Sequence, residues 1–177
     1  MRIRLALALL LLPLASWGQS GNFDEDFEQD ERWRELQTKL PAYPRSENFL
    51  PFKVSGATLF DFFIDAKSIS IGTDGVVRYS LIAKSSSGAL NVSYEGLRCS
   101  ERQVRVYAYG RSDNSWSKAR TSRWQALPVD SRNNQQTVLF NEYFCPVKNI
   151  IYSTEEAIAA LKAGRHPRIQ QLESYTY

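Results

Sequence analysis

The stretch YEGLRCSERQVRVYAYGRS, residues 94–112, gathers a cysteine, four arginines and three tyrosines into two strand-like runs. Arginine forks beside flat rings hold carboxylates, phosphates or sugars. The pattern extends downstream. Between residues 98 and 123 stand seven bases, Arg98, Arg102, Arg105, Arg111, Lys118, Arg120 and Arg123, against two acids, Glu101 and Asp113. Tyr107, Tyr109, Trp116 and Trp124 are interleaved with them. In the run Gln103–Gly110, Val104, Val106 and Ala108 alternate with Arg105, Tyr107 and Tyr109. Strand periodicity puts the small apolar set toward a core and leaves the second set on an open face. Arg105, Tyr107, Tyr109 and Arg111 are therefore the candidate binding surface.

Other chemistry has less to stand on. The only histidine, His166, is followed by Pro167 just past a helix end, where a cation complements the helix dipole. There is no G-x-S-x-G elbow and no glycine-rich phosphate loop. NSWSK holds Ser115, Ser117 and Lys118 without the motif a serine–lysine catalyst needs. Glycan hydrolysis requires two facing carboxylates. Asp61, Asp65, Asp74 and Glu95 are the candidates, with turn contexts accounting for Asp65 and Asp74. Asp24, Asp26, Glu28 and Asp30 alternate as in a calcium loop, but Gln29 stands where the loop requires glycine, and a solvated acidic face is the better reading. No cofactor, catalytic residue or metal ligand is assigned.

Two cysteines, Cys99 and Cys145, lie 46 residues apart, far from a Cys-x-x-Cys redox spacing, and a zinc site would need more ligands. A structural disulfide is expected, which fits an oxidising compartment. The first eighteen residues, MRIRLALALLLLPLASWG, read as a signal peptide: Arg2 and Arg4, an apolar run Leu5–Leu12, then Ser16 and Gly18 before a cut at Gln19. That run is too short to span a membrane, and no cysteine near the cut offers a lipid anchor. Without those 18 residues the 177-residue chain keeps 159, enough for one domain with a real core. It also keeps 20 of 22 bases against 19 acids, too balanced for a general nucleic-acid binder.

The elements that must position these residues follow from pattern. Residues 19–51 form an acidic N-terminal segment and a proline-rich linker or edge. Within it, Phe23, Phe27, Trp33, Leu36 and Leu40 have the spacing of a short amphipathic helix, or of a segment ordered only on docking. Its charge is opposite to that of the basic window, so it is also a candidate to dock there, within the molecule or on a second copy, and to loosen in salt. Residues 52–177 read as a single domain. VVRYSLIAK, ALNVSYEGLRC and RQVRVYAYG alternate as an antiparallel meander, with Asp74-Gly75 and SSSG at turns. TVLFNEYFC reads as a last strand ending at Cys145. STEEAIAALKAG is a helix, with Ser153 and Glu156 at capping-box spacing and Gly164 as its stop. The fold class is α+β: an antiparallel sheet of five to seven strands and a C-terminal helix tethered by Cys99–Cys145.

FFIDAKSISIGTDGVVRYSLIAKSSSGALNVSYEGLRC, with FCP and STEEAIAALKAGRHP, resembles the cryptic-neisserial-protein-like family of proteobacterial envelope proteins over roughly residues 30–170. That resemblance implies a Gram-negative source and an exported domain, with no assigned activity to carry over. The order DAKSI, DGVVR, SYEGLRC, RVYAY and a second cysteine is also similar in layout to surface-adhesin E-like proteins. Those imply a sheet with a disulfide-tethered C-terminal helix and binding to host proteins, although their anchoring cysteine is missing here. Together these readings point to an exported, periplasmic, non-enzymatic binding module. Its expected partner is an envelope protein or an anionic envelope polymer, with no nucleic acid and no membrane-embedded part. A carboxylate-pair glycan hydrolase and a structural component of an envelope assembly are the alternatives.

Overall fold

The computed structural model describes residues 33–54, 58–129 and 131–174. The signal-peptide reading and the acids from Asp24 to Glu31 lie outside the described residues. Among the described residues eight antiparallel strands make one sheet: β1 (Phe49–Phe52), β2 (Phe60–Asp65), β3 (Ser70–Ile71), β4 (Val76–Ser85), β5 (Leu90–Arg98), β6 (Gln103–Gly110), β7 (Trp116–Lys118) and β8 (Gln125–Ala126). Their order is β1-β2-β4-β5-β6-β7; β3 shares an edge of β4 with β2, and β8 shares an edge of β6 with β7. The six-strand path is the expected meander, and the two-residue β3 and β8 take the count past seven. Turn chemistry sets the registers. Gly75 (φ +74°) closes the β3–β4 hairpin and Gly88 (φ +86°) the β4–β5 hairpin, in backbone conformations that glycine adopts without strain.

Register also assigns the two faces. Val77 pairs with Leu97, Tyr79 with Glu95 and Leu81 with Ser93, so these six share one face. Arg78 with Gly96, Ser80 with Tyr94 and Ile82 with Val92 share the other. The first face carries the core: Phe52, Phe62, Ile64, Val77, Tyr79, Leu81 and Leu97 pack against the helical layer.

That layer begins where a strand is expected. Residues 135–144 are helical: α1 (Gln135–Val138) continues as a π-helical turn over Leu139–Phe144. The Cys145 amide donates to the Phe140 carbonyl, five residues back. Asn134 caps the start by accepting from the Thr137 amide at 2.8 Å. A strand would divide Leu139, Phe140, Tyr143 and Phe144 between two faces, whereas the helix sends all four into the core. Tertiary burial therefore outweighs the β propensity of the aromatic residues.

The Cys99–Cys145 disulfide joins the β5–β6 connection to the end of this turn, with Cα atoms 5.4 Å apart. Helix α2 (Thr154–Ala163) is the expected one. Ser153 Oγ accepts from the Glu156 amide at 3.2 Å, Gly164 (φ +78°) ends the helix, and Ala157, Ala160 and Leu161 are buried. A further helix, α3 (Pro167–Ser174), follows at once with proline in its first turn. His166 caps it. The side chain is 3% exposed, its Nδ1 accepts from the Arg168 amide at 3.1 Å, and its Nε2 lies 2.9 Å from Glu156 Oε1. At the position where a helix-dipole role is expected, His166 is a buried joint between α2 and α3. Glu156 is held below the usual carboxylate range: burial opposes this, but the Tyr152 amide, His166 and Arg168 outweigh it.

Residues 34–43 form no helix. They run as an extended strap over the second face of the sheet, because their polar partners are sheet side chains rather than their own backbone. β1, including Pro51, is an edge strand, where a missing amide costs no ladder bond.

Candidate functional site: a carboxylate clamp on the second sheet face

The clamp starts from a β-bulge. β5 and β6 shift register between Tyr94 and Glu95, whose partners are Ala108 and Val106. Tyr107 is the extra residue, and it turns onto the face of Arg105 and Tyr94. Gly96 makes room for it: a Cβ there would meet Tyr107 Oη at 2.5 Å. The bulge also resets the alternation. Tyr109 pairs with Ser93 on the helix side of the sheet and is 52% exposed, so it does not join Arg105 and Tyr107 as the unbroken pattern predicts. Arg111, at the strand end, donates to Ser117 Oγ at 3.3 Å, apart from the other two. The four candidate residues thus divide, and only Arg105 and Tyr107 act together.

They converge on Glu35. Arg105 Nη1 lies 2.5 Å from Oε2, Tyr107 Oη donates to Oε1 at 2.6 Å, and Trp124 Nε1 donates to Oε2 at 3.1 Å. Arg78 Nη2 stands 3.6 Å from Oε1. The Glu35 side chain is 14% exposed, Arg105 29% and Arg78 7%, so this ion cluster is largely removed from water. Burial, then the bond to Glu35, pushes the Tyr107 hydroxyl well above its ordinary value, which keeps it a proton donor. Arg78 is itself fixed by Asp74, with Nη2–Oδ2 at 2.5 Å and Nη1–Oδ1 at 3.2 Å. Burial opposes the charge on Asp74, but the bonds from Arg78 and the Leu36 amide hold its carboxyl below the usual range. The Arg105 and Arg78 guanidinium carbons lie 5.5 and 5.8 Å from the Tyr107 ring centroid.

The rest of the strap is held by side chains that grip its main chain. Asp74 Oδ2 accepts from the Leu36 amide at 2.9 Å, and Trp116 Nε1 donates to the Pro41 carbonyl at 2.9 Å. Arg78 Nε donates to Thr38 Oγ1 at 3.2 Å. Tyr43 packs on Trp116 with centroids 5.3 Å apart and donates to the Arg111 carbonyl; at Gly110 a Cβ would meet its hydroxyl at 2.6 Å. The basic-aromatic face is thus covered by the chain's own strap. Of the roles open to the N-terminal segment, docking on the basic window within the molecule is the one that residues 35–43 adopt. The sequence pattern points to Arg105 and Tyr107 and places Trp124 among the aromatics interleaved with the basic window. It misses Glu35 and Arg78 and reads Asp74 as a turn residue; the one signal for Glu35 is the opposite charge of the two segments.

The candidate acids occupy separate settings. Asp65 accepts from the Lys67 amide at 3.3 Å, Asp74 holds Arg78, and Asp61 is exposed opposite Lys84. Glu95 is 2% exposed on the core side, accepting from Ser93 Oγ at 2.6 Å, Tyr79 Oη at 3.2 Å and Gln136 Nε2 at 3.3 Å. Burial raises its carboxyl above the ordinary range, and those three donors offset part of the effect. Ser115 donates to Asp113 and Ser117 accepts from Arg111. Among the described residues no cluster of three or more His, Cys, Asp or Glu is placed to hold a metal, and no helix is long and apolar enough to cross a membrane.

Residues 28–162 match the model of the CNP1-like family. The chain belongs to the CNP1-like family. The family match takes in Glu35, Asp74, Arg78, Arg105, Tyr107 and Trp124, along with both cysteines and nearly all of α2. No curated protein and no solved structure matches the chain.

Proposed function

We propose that this CNP1-like chain is an exported, periplasmic, non-enzymatic interaction module that uses the basic-aromatic sheet face as its binding surface. One observation carries the reading: Arg105, Tyr107 and Trp124, backed by Arg78, converge on a single carboxylate in a largely dehydrated setting. Planar cationic forks beside aromatic rings suit recognition of carboxylate groups on an envelope protein or an anionic envelope polymer. The signal-like start and the disulfide support an oxidising compartment outside the cytoplasm. The glycan-hydrolase alternative has less behind it. A groove of about 630 Å³ between the β1–β2 edge and α2 offers Asp61 as its one carboxylate among the described lining residues.

The test is an envelope pull-down with the tagged chain, compared with an Arg105→Ala/Tyr107→Ala variant whose near-ultraviolet circular dichroism matches the wild type. A partner captured by the wild type and lost by the variant supports the module. Identical captures, or none, reduce the clamp to a fold-stabilising contact.

A further inference from the structure

The strap is an unusual piece of its own domain. No residue from Arg34 to Tyr43 is fully buried, and Leu36 (46% exposed) and Leu40 (39% exposed) leave much of their apolar surface in water. It forms no ladder with any strand. The strap's main chain is held by side-chain groups of the sheet layer: Asp74 on the Leu36 amide, Arg78 on the Leu36 carbonyl, Trp116 on the Pro41 carbonyl. Every peptide carries such groups. The strap side chains hydrogen-bonded to the sheet layer are a carboxylate, Glu35, a hydroxyl three positions on, Thr38, and the Tyr43 phenol, which donates to the Arg111 carbonyl. A surface that grips backbone with side chains and selects one acid is built for a peptide in general as much as for this one.

We infer that the face beneath the strap docks an extended, carboxylate-bearing peptide segment of a partner protein, and that residues 35–43 occupy it in the free chain as a built-in competitor. The inference rests on the interaction-module reading and names its partner class and its regulation. Charge complementarity selects the occupant: the site places two guanidinium groups, a phenol and an indole N–H around one acid. Because the strap is tethered, it holds the site at high effective concentration, so an external segment gains access when the strap's anchor is weakened. Hydrogen bonds to a charged group set the scale. Removing the Glu35 carboxylate releases roughly ten- to hundredfold in apparent affinity for a competing peptide.

The experiment uses the full exported chain and a fluorescein-labelled peptide of sequence RELQTKLPAY, residues 34–43, read by anisotropy. Glu35→Ala binds the peptide at least tenfold more tightly than wild type. Glu35→Ala/Arg105→Ala does not bind it, and a peptide with glutamine in place of its glutamate does not bind Glu35→Ala. Glu35→Gln serves as the second variant if Glu35→Ala loses its near-ultraviolet signal. Absence of peptide binding by a folded variant overturns the inference, as does binding indifferent to Arg105 or to the peptide's acid. Self-association of Glu35→Ala in sedimentation, with no free site for the peptide, overturns it in favour of a second copy as occupant. If the peptide fails while the pull-down still separates wild type from Arg105→Ala/Tyr107→Ala, this inference falls and the module stands. If the peptide binds and the pull-down shows no difference, the envelope-partner reading falls.

Discussion

Glu35 and Arg105 make a contact whose strength is measurable by a double-mutant cycle of Glu35→Ala, Arg105→Ala and the pair. The atoms are 2.5 Å apart, and the side chains are 14% and 29% exposed. Fully exposed ion pairs couple by about 0.2–1 kcal/mol, and hydrogen bonds to charged groups in drier settings are worth about 1.5–3 kcal/mol. The partial burial here lies between these limits, giving a coupling of about 1–2 kcal/mol. Glu35→Ala alone costs more, about 2–3 kcal/mol, because Tyr107 and Trp124 lose the same acceptor. In a domain of this size that lowers Tm by roughly 10 °C. Urea denaturation followed by tryptophan fluorescence is the assay, since Trp116 and Trp124 both contact the strap. The coupling should fall in 1 M salt, where the Debye length is about 3 Å, without vanishing, because the pair is partly shielded from ions. A coupling below about 0.3 kcal/mol, with both single variants folded, would refute the clamp.

Three other outcomes follow from the fold. Glu95→Gln should gain stability relative to wild type as pH rises. A carboxyl whose folded pKa is raised contributes its stability below the unfolded value of about 4.3 and loses it as pH climbs through the folded value. Each tenfold difference between the folded and unfolded acid constants is worth about 1.4 kcal/mol. Urea midpoints at pH 4.5 and pH 8 measure this, and a constant difference between the two proteins would show that the Glu95 carboxyl is not raised in the folded state. Reducing Cys99–Cys145, which closes a 46-residue separation, should cost about 4 kcal/mol and lower Tm by roughly 10–15 °C; an unchanged melt with both thiols free contradicts this. Ser153→Ala should cost about 1 kcal/mol through the lost cap on α2, and thermal denaturation without a shift would show that the cap is redundant.

Where local chemistry decides structure, the chain is legible before folding. Asp74-Gly75 and Gly88 set their hairpins, Ser153 and Gly164 bound α2, and two cysteines in an export-like chain pair. What stays hidden depends on non-local contacts. TVLFNEYFC has strand-like composition, and only a core waiting on one side makes its aromatics helical. One extra residue at Tyr107 moves Tyr109 to the opposite face, and a bulge has no period to read. The site itself joins Glu35 to Arg105 and Trp124 across 70 and 89 positions. The sequence shows opposite charges on the two segments, but which acid anchors the strap emerges from geometry.

The most direct test of the binding face places a photo-crosslinking amino acid at Arg123, an exposed position next to Trp124, in intact cells. The expected result is an ultraviolet-dependent adduct to another envelope component, more abundant with Glu35→Ala and lost with Arg105→Ala/Tyr107→Ala. An adduct confined to the chain's own strap in all three backgrounds would contradict the interaction module and leave the clamp as a fastening of the fold.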